Sequence, residues 1–195
     1  MNSNLHELVF LFDQSSKISE HYGEAQKGLK DLIESQKKCP KDTNVTISVF
    51  GSDYVTVAEN TPIEKVKIGK GPFELSGTCP FVDSAERVID EVGARLSRTI
   101  EYDRPSKVIV VLVNFDRDNA SKSCTYGQLA EKIKIQTEVY KWSFFLLTDF
   151  SINMEKLGIP EENTFIVKLS EKNSFANEYR SLSDSISRLR QGTAQ

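Results

Sequence analysis

Residues 7–13, with the sequence ELVFLFD, form a continuous apolar run that is closed by an acid. A run of this kind, without alternation, is typical of a strand that is buried on both faces of a sheet. A second run at residues 107–113 (KVIVVLV) is the most hydrophobic in the chain and predicts a central strand. Segments with helical spacing alternate with such runs, which predicts an α/β fold whose mostly parallel sheet is covered by helices on both faces.

The pattern at residues 44–58 predicts one antiparallel pair at an edge of this sheet. Residues 44–50 (NVTISVF) are rich in β-branched side chains, and a Gly-Ser-Asp turn leads back into residues 54–58. Residues 62–70 (PIEKVKIGK) alternate apolar and basic side chains, so we expect an extended edge segment with its lysines in water, or alternatively an anion-binding strip. The other predicted strands are 142–147 and 164–167, and the predicted helices are 19–38, 80–97, 126–140, 152–157 and 174–190.

Length and composition limit the possible functions. The chain has 195 residues, so we expect one domain over residues 1–191, followed by a frayed tail at 192–195. It has 25 basic and 28 acidic residues, a net charge of −3 that argues against a dedicated binder of nucleic acid or anionic membrane. Neither a membrane-spanning run nor a secretory signal is visible, and three widely spaced cysteines suggest free thiols in the cytoplasm.

Three loops are the places to search for a site, because ligands of parallel sheets bind beyond the carboxyl ends of the strands. The first is residues 13–17 (DQSSK), the second is residues 76–80 (SGTCP), and the third is residues 114–121 (NFDRDNAS). We call the surface that they are predicted to form the top face. In the first loop, Asp13 at a strand end followed by Ser15 has the oxygen ligands that a hard divalent cation prefers.

On these residues, the chain resembles the von Willebrand factor A (vWA) domain family, above all its compact stand-alone members from bacteria and phages. The resemblance extends from Glu7 to about Arg190. It is most specific at residues 89–96 (IDEVGARL), 118–126 (DNASKSCTY) and 140–147 (YKWSFFLL). It implies a Rossmann-like, three-layer α/β/α fold with a mostly parallel sheet and one antiparallel edge strand.

The family's functional hallmark is a metal-ion-dependent adhesion site (MIDAS). It combines an Asp-x-Ser-x-Ser loop, a Thr from a second loop and an Asp from a Thr-Asp-Gly loop, around an Mg²⁺ that accepts a partner's carboxylate. Asp13 and Ser15 match the first two positions of this pattern, but Lys17 stands in the place of the second serine. The first loop therefore matches the family's pattern only in part.

The other two loops also depart from the pattern. Cys79 stands where the family has threonine, although a shift of one residue would place Thr78 there. In the third loop, Phe115 occupies the aspartate position, and Asp116 falls on the glycine. The resemblance therefore implies a degenerate site.

These departures lead to a hypothesis about Lys17. Its ammonium has three donors and no lone pair, so it cannot ligate a cation, but it can neutralise an acid. We therefore predict that an internal pair between Asp13 and Lys17 replaces the metal. Two alternatives remain open: Asp13 caps the following turn through its side chain, or a cation is still held by Asp13, Ser15, Thr78 and Asp116.

Other loop residues have two possible roles each. Phe115 is either a plug over the former site or an exposed anchor for a partner. Asp116 and Asp118 belong either to a solvated charge cluster or to the rim of a binding surface. Cys79 is expected to be a small buried thiol rather than a nucleophile, since the sequence places no histidine beside it.

The leading functional prediction is a non-enzymatic adaptor or regulator that binds a protein partner at the top face without Mg²⁺ or another cofactor. It would act as a monomer or a weak homo-oligomer. The residues expected at this surface are Asp13, Ser15, Lys17, Thr78, Cys79, Phe115, Asp116 and Asp118. One alternative is a module that retains Mg²⁺ or Mn²⁺. A phosphatase that uses Asp13 is disfavoured, because that chemistry needs a second Asp where Ser15 stands. A nucleotide-binding oxidoreductase is disfavoured because no Gly-x-Gly-x-x-Gly motif follows the first strand.

Overall fold

The computed structural model describes residues 1–69, 74–149 and 154–192, without the side chains of residues 154 and 155. Within them, the strands form one six-stranded sheet in the order β3-β2-β1-β4-β5-β6. The strands are β1 Asn2–Asp13, β2 Asp42–Phe50, β3 Tyr54–Pro62, β4 Pro105–Asn114, β5 Ser143–Thr148 and β6 Thr164–Ile166. All neighbours are parallel except β2 and β3, which confirms the predicted antiparallel edge pair.

Two apolar clusters cover the two faces of the sheet. The α-helices are α1 Tyr22–Gln36, α2 Phe81–Arg98, α3 Tyr126–Glu138 and α4 Ser174–Gln191. On one face, Phe10 packs with Leu29 of α1 and Leu182 of α4. On the other face, Leu11 packs with residues of α2 and α3, such as Ile89. Successive β1 side chains point to opposite faces of the sheet, so a run that is apolar at every position requires helices on both. The predicted three-layer fold is confirmed.

Helices α1 and α4 lie unusually close together at Gly28. A Cβ atom at this position would lie 2.1 Å from the ring of Tyr179, so only glycine leaves room for the ring. This close approach fixes α4 against α1, and it places Phe175, the second residue of α4, under the top face. Within the described residues, no helix is both long and apolar enough to cross a membrane.

Two local predictions need correction. The segment after β3 is not an extended edge, because residues Ile63–Lys65 form a 3₁₀ turn that buries Ile63 and Val66. These two apolar residues are three positions apart, so one turn directs both into the core. The alternation of apolar and basic residues in this segment therefore does not indicate a strand. The predicted helix at 152–157 is a 3₁₀ turn at Met154–Leu157, ended by Gly158 with φ +68° as a glycine C-cap predicts. Residues 70, 152–153 and 193–195 of the predicted segments lie outside the described residues.

Candidate functional site

The three loops meet at the carboxyl end of the sheet, as predicted. Strands β1 and β4 are parallel neighbours, so the loops that follow them begin side by side. Ser76 of the second loop donates its backbone N–H to the carbonyl oxygen of Gln14, at 2.8 Å. Cys79 donates its backbone N–H to Asn119 Oδ1 of the third loop, also at 2.8 Å. Hydrogen bonds thus connect each loop to the next and form a continuous top face.

Asp13 is fully buried and holds the first and third loops together. Its Oδ1 accepts the backbone N–H of Ser15 at 2.7 Å, and its Oδ2 accepts that of Phe115 at 2.8 Å. Burial raises the pKa of Asp13, and the two hydrogen bonds oppose that shift because they stabilise the carboxylate. The turn-capping alternative therefore describes Asp13 correctly.

The predicted pair between Asp13 and Lys17 is wrong. The Lys17 Nζ atom lies 3.4 Å from Asp149 Oδ2 and 4.0 Å from Asp116 Oδ1, at the ends of β5 and β4. The Lys17 side chain is 41% exposed, whereas that of Asp149 is only 6% exposed. The reason is local, because Ile18 is buried in the core and the 3₁₀ turn that carries it directs Lys17 away from Asp13. Lys17 thus neutralises Asp149 and Asp116 of this face instead of Asp13.

In the second loop, Cys79 takes the inward position and Thr78 does not. Cys79 is fully buried, and its Sγ lies 3.3 Å from Asn114 Oδ1. Burial and the nearby carboxylate of Asp13 raise the pKa of the Cys79 thiol far above its usual value, so it stays protonated. Thr78 is exposed, and its backbone N–H points to Ser52 Oγ at 3.4 Å. The structure therefore places a thiol where the family pattern has a hydroxyl.

In the third loop, two residues are committed to the fold. Phe115 is fully buried, with its ring centroid 5.4 Å from that of Phe175, so it is not an exposed anchor. Asp118 Oδ2 accepts the backbone N–H of Val82 at 2.7 Å, which caps the start of α2. Asp118 is partly exposed, and this hydrogen bond shows that it also stabilises the fold. Asp116 remains partly exposed at the surface, beside Lys17.

Sequence reasoning missed two acids of this region. Asp149 directly follows β5, and the same pattern of an acid after a buried strand had pointed to Asp13. Asp83 in the first turn of α2 accepts backbone N–H groups from residues 122–124, including that of Cys124 at 2.8 Å. These hydrogen bonds hold the pKa of Asp83 below its usual value, against the opposing effect of burial. Asp83 and Asp118 thus fasten the third loop to α2.

The four oxygen ligands that a retained Mg²⁺ would need are not gathered into one set. Asp13 and Ser15 do stand together, because the Ser15 backbone N–H binds the Asp13 carboxylate and the Ser15 side chain is buried beside it. Thr78 and Asp116, however, make their contacts elsewhere. In the described part of the chain, no group of three or more His, Cys, Asp or Glu side chains is arranged to hold a metal ion. Since Mg²⁺ requires near-octahedral oxygen coordination, this arrangement does not fit it.

Comparison with known proteins identifies the fold. No protein-family model matches the chain, and no curated protein matches it significantly in sequence. Solved structures do match. Proximal thread matrix protein 1 (PTMP1) from the mussel byssus superposes with a TM-score of 0.64 and 16% identity over 95% of this chain. Another structure of PTMP1, with zinc in its MIDAS motif, gives a TM-score of 0.60. The chain has a vWA-like fold.

A second solved protein is similar to this chain in fold although its sequence differs. The PilB minor pilin from Streptococcus sanguinis gives a TM-score of 0.67 at 9% identity over the whole chain. This chain spans 46% of the length of PTMP1 and 64% of that of PilB. At these identities the likeness extends to the fold and not to the activity of either protein.

Proposed function

We propose that this chain is a non-enzymatic, vWA-type module that binds a protein partner at its top face without a divalent cation. One observation carries the proposal: the ammonium of Lys17 lies between Asp149 and Asp116, at 3.4 and 4.0 Å. A lysine so placed supplies a positive charge from within the chain. It also repels a divalent cation that approaches either carboxylate. PTMP1, by comparison, has been seen with zinc in its MIDAS motif.

The state of the other loop residues supports the same proposal. A second carboxylate is missing at position 115, where Phe115 is buried against Phe175. The threonine position holds the protonated thiol of Cys79, which is a poor ligand for Mg²⁺. Asp13 is engaged with two backbone N–H groups. We infer that these residues stabilise the loops, and that the partly exposed Lys17 and Asp116 are the groups that a partner contacts.

The proposal of a non-enzymatic role rests on the environments of the nucleophiles. Cys79 is buried beside acids that disfavour its thiolate. Neither histidine stands near it as a general base, because His6 lies in the buried cluster around Arg190 and His21 stacks on Phe175 at 5.6 Å. The three cysteines are free thiols, which favours a reducing compartment such as the cytoplasm.

Affinity capture from the native lysate tests the proposal. Tagged protein is used with Mg²⁺ and again with EDTA, and bound proteins are quantified by mass spectrometry. We expect the same partner in both samples, and at least about a fivefold loss of it with Lys17→Ala, equivalent to about 1 kcal/mol. The matched control is Lys27→Ala on the exposed side of α1. The proposal would be contradicted if the partner were captured with Mg²⁺ but lost with EDTA.

A second candidate, a module that retains a divalent cation, is favoured by the buried Ser15 hydroxyl beside the Asp13 carboxylate. It requires Asp116 to turn from Lys17 towards this pair. Millimolar Mn²⁺ or Mg²⁺ would then raise the melting temperature of the wild-type protein, and capture of the partner would depend on the metal. The two candidates therefore predict opposite effects of EDTA.

A further inference from the structure

Helix α3 has apolar residues on two different faces. Leu129 and Ile133 are buried against the sheet, as expected for a surface helix. On the side that faces solvent, Ile135 is 44% exposed and Val139, at the helix end, is 64% exposed. The adjacent Tyr140 is exposed as well. An apolar stripe on the outer side of a helix is unnecessary for this fold, and it is typical of an interaction surface.

Charged residues without ion-pair partners flank this stripe. Glu131, Lys134 and Glu138 are exposed, and none of them forms an ion pair with another residue in the described part of the chain. Their neighbour Lys132 differs, because it is bound to Glu86 and Asp90 of α2. The outer side of α3 therefore presents apolar residues next to both signs of charge that the molecule itself does not use.

The spacing of these residues is self-complementary. If two copies of α3 pack antiparallel about a two-fold axis between residues 136 and 137, Ile135 of each copy lies against Val139 of the other. In the same register, Lys134 of each copy lies against Glu138 of the other. Each of these pairs is offset by only about 1.5 Å along the helix, the rise of one residue. Symmetry forms every contact twice.

We propose that α3 is the interface of a weak, antiparallel homodimer. The groove beside α3 supports this register. It has a volume of about 490 Å³, its floor contains Trp142, Phe144 and Ile159, and Lys134 lies at its edge. In this register Tyr140 of a second copy, just beyond the end of its α3, is level with Ile133 and one residue from Lys134, and both of these residues line the groove. One helix per subunit buries less than the roughly 1,200 Å² of a standard stable interface, so we expect a Kd on the order of 100 μM.

Sedimentation equilibrium of the full chain between about 5 and 500 μM tests the dimer. We expect the average mass to rise towards twice that of the monomer, and Val139→Asp to weaken association at least about tenfold. Lys134→Glu should weaken it because it places two glutamates together, and the double variant Lys134→Glu/Glu138→Lys should restore it. The control is Tyr102→Ser, at an exposed site outside α3.

Circular dichroism checks that each variant is folded, and we expect it to be, because the substituted positions are exposed. A monomer at every concentration would overturn the proposal and would leave the outer side of α3 to a different protein. A dimer that Val139→Asp and Lys134→Glu leave unchanged would overturn it as well, because the interface would then lie elsewhere. If Lys134→Glu weakens association but the double variant does not restore it, the proposed register is contradicted.

Discussion

Two buried charges of opposite sign lie at opposite ends of the sheet, and neither has a counter-ion among the described residues. Asp13 at the carboxyl end of β1 accepts two backbone N–H groups. Arg190 at the end of α4 is 1% exposed and donates to neutral acceptors on α1, β1, β2 and the loop before β2. These acceptors are the carbonyl oxygens of Gln36 and Lys41, Gln36 Oε1, Thr43 Oγ1 and His6 Nδ1. Hydrogen bonds to neutral groups thus replace ion pairs at both ends.

The two sites differ in what they leave available. Arg190 has five N–H donors and five acceptors, so its hydrogen-bonding capacity is complete and the site is closed. Asp13 accepts one backbone N–H on each oxygen, and the buried Ser15 side chain lies beside its carboxylate. Lys17, nearby, is partly exposed. The comparison teaches that the Arg190 side chain is fully buried and stabilises the fold, whereas Asp13 lies beneath the exposed Lys17 that a partner can contact.

Removal of the arginine should have the largest effect on stability. Arg190→Met keeps much of the side-chain volume but leaves several buried acceptors without donors, so we expect a loss of about 3 kcal/mol in the free energy of unfolding. Urea denaturation measures the loss. Arg180→Met, at an exposed position of the same helix, is the control and should change stability by less than about 0.5 kcal/mol. Equal effects of the two variants would show that the buried network stabilises nothing.

Removal of the aspartate should have the second largest effect. Asp13→Ala leaves the backbone N–H groups of Ser15 and Phe115 unpaired, and we expect a loss of about 2 kcal/mol in the same measurement. Asp13→Asn retains an acceptor oxygen and should lose about half of that. The control is Asp31→Ala, an exposed acid on α1. If the asparagine variant were as unstable as the alanine variant, the hydrogen bonds would not explain the role of Asp13.

The same comparison shows what the sequence can and cannot predict. The apolar run that ends in Asp13 predicts a buried strand with an acid at its end, because both features lie within seven consecutive residues. For Arg190 the sequence predicts only the end of a helix, since the burial of this residue depends on how α4 packs against α1, far away in sequence. The true partner of Lys17 is equally hard to predict. Asp149 comes from a distant strand, and no local pattern joins it to residue 17.

A fall in pH should have a smaller effect on the free energy of unfolding. Burial, with the positive charges of Arg190, Lys41 and Lys107, lowers the pKa of His6 from 6.5 to about 4. The unfolded chain therefore binds more protons between these values, and the contribution of neutral His6 to stability is lost as the pH falls from 6.5 towards 4. Between pH 7 and 5.5, we expect a loss of about 1 kcal/mol from this group.

His6→Gln isolates this contribution, because it removes the titrating group and retains an acceptor near Arg190. The raised pKa of Asp13 acts with the opposite sign, so the relevant quantity is the difference between the wild type and His6→Gln at each pH. That difference should shrink as the pH falls. A constant difference between pH 7 and 4.5 would contradict the neutral state of His6.

Lys17 should contribute least to stability, because exposed ion pairs are worth less than about 1 kcal/mol. Its role is tested instead by a titration of Mn²⁺ into the wild type, Lys17→Ser and Lys17→Met, followed by melting temperature and calorimetry. We predict no binding by the wild type. Lys17→Ser should gain a site, with a rise of several degrees at millimolar Mn²⁺, because it removes the ammonium beside Asp149 and Asp116 and adds a hydroxyl in its place. Lys17→Met should bind Mn²⁺ more weakly than Lys17→Ser, because it removes the ammonium but adds no oxygen ligand. Binding by the wild type that is as tight as that by Lys17→Ser would contradict the account.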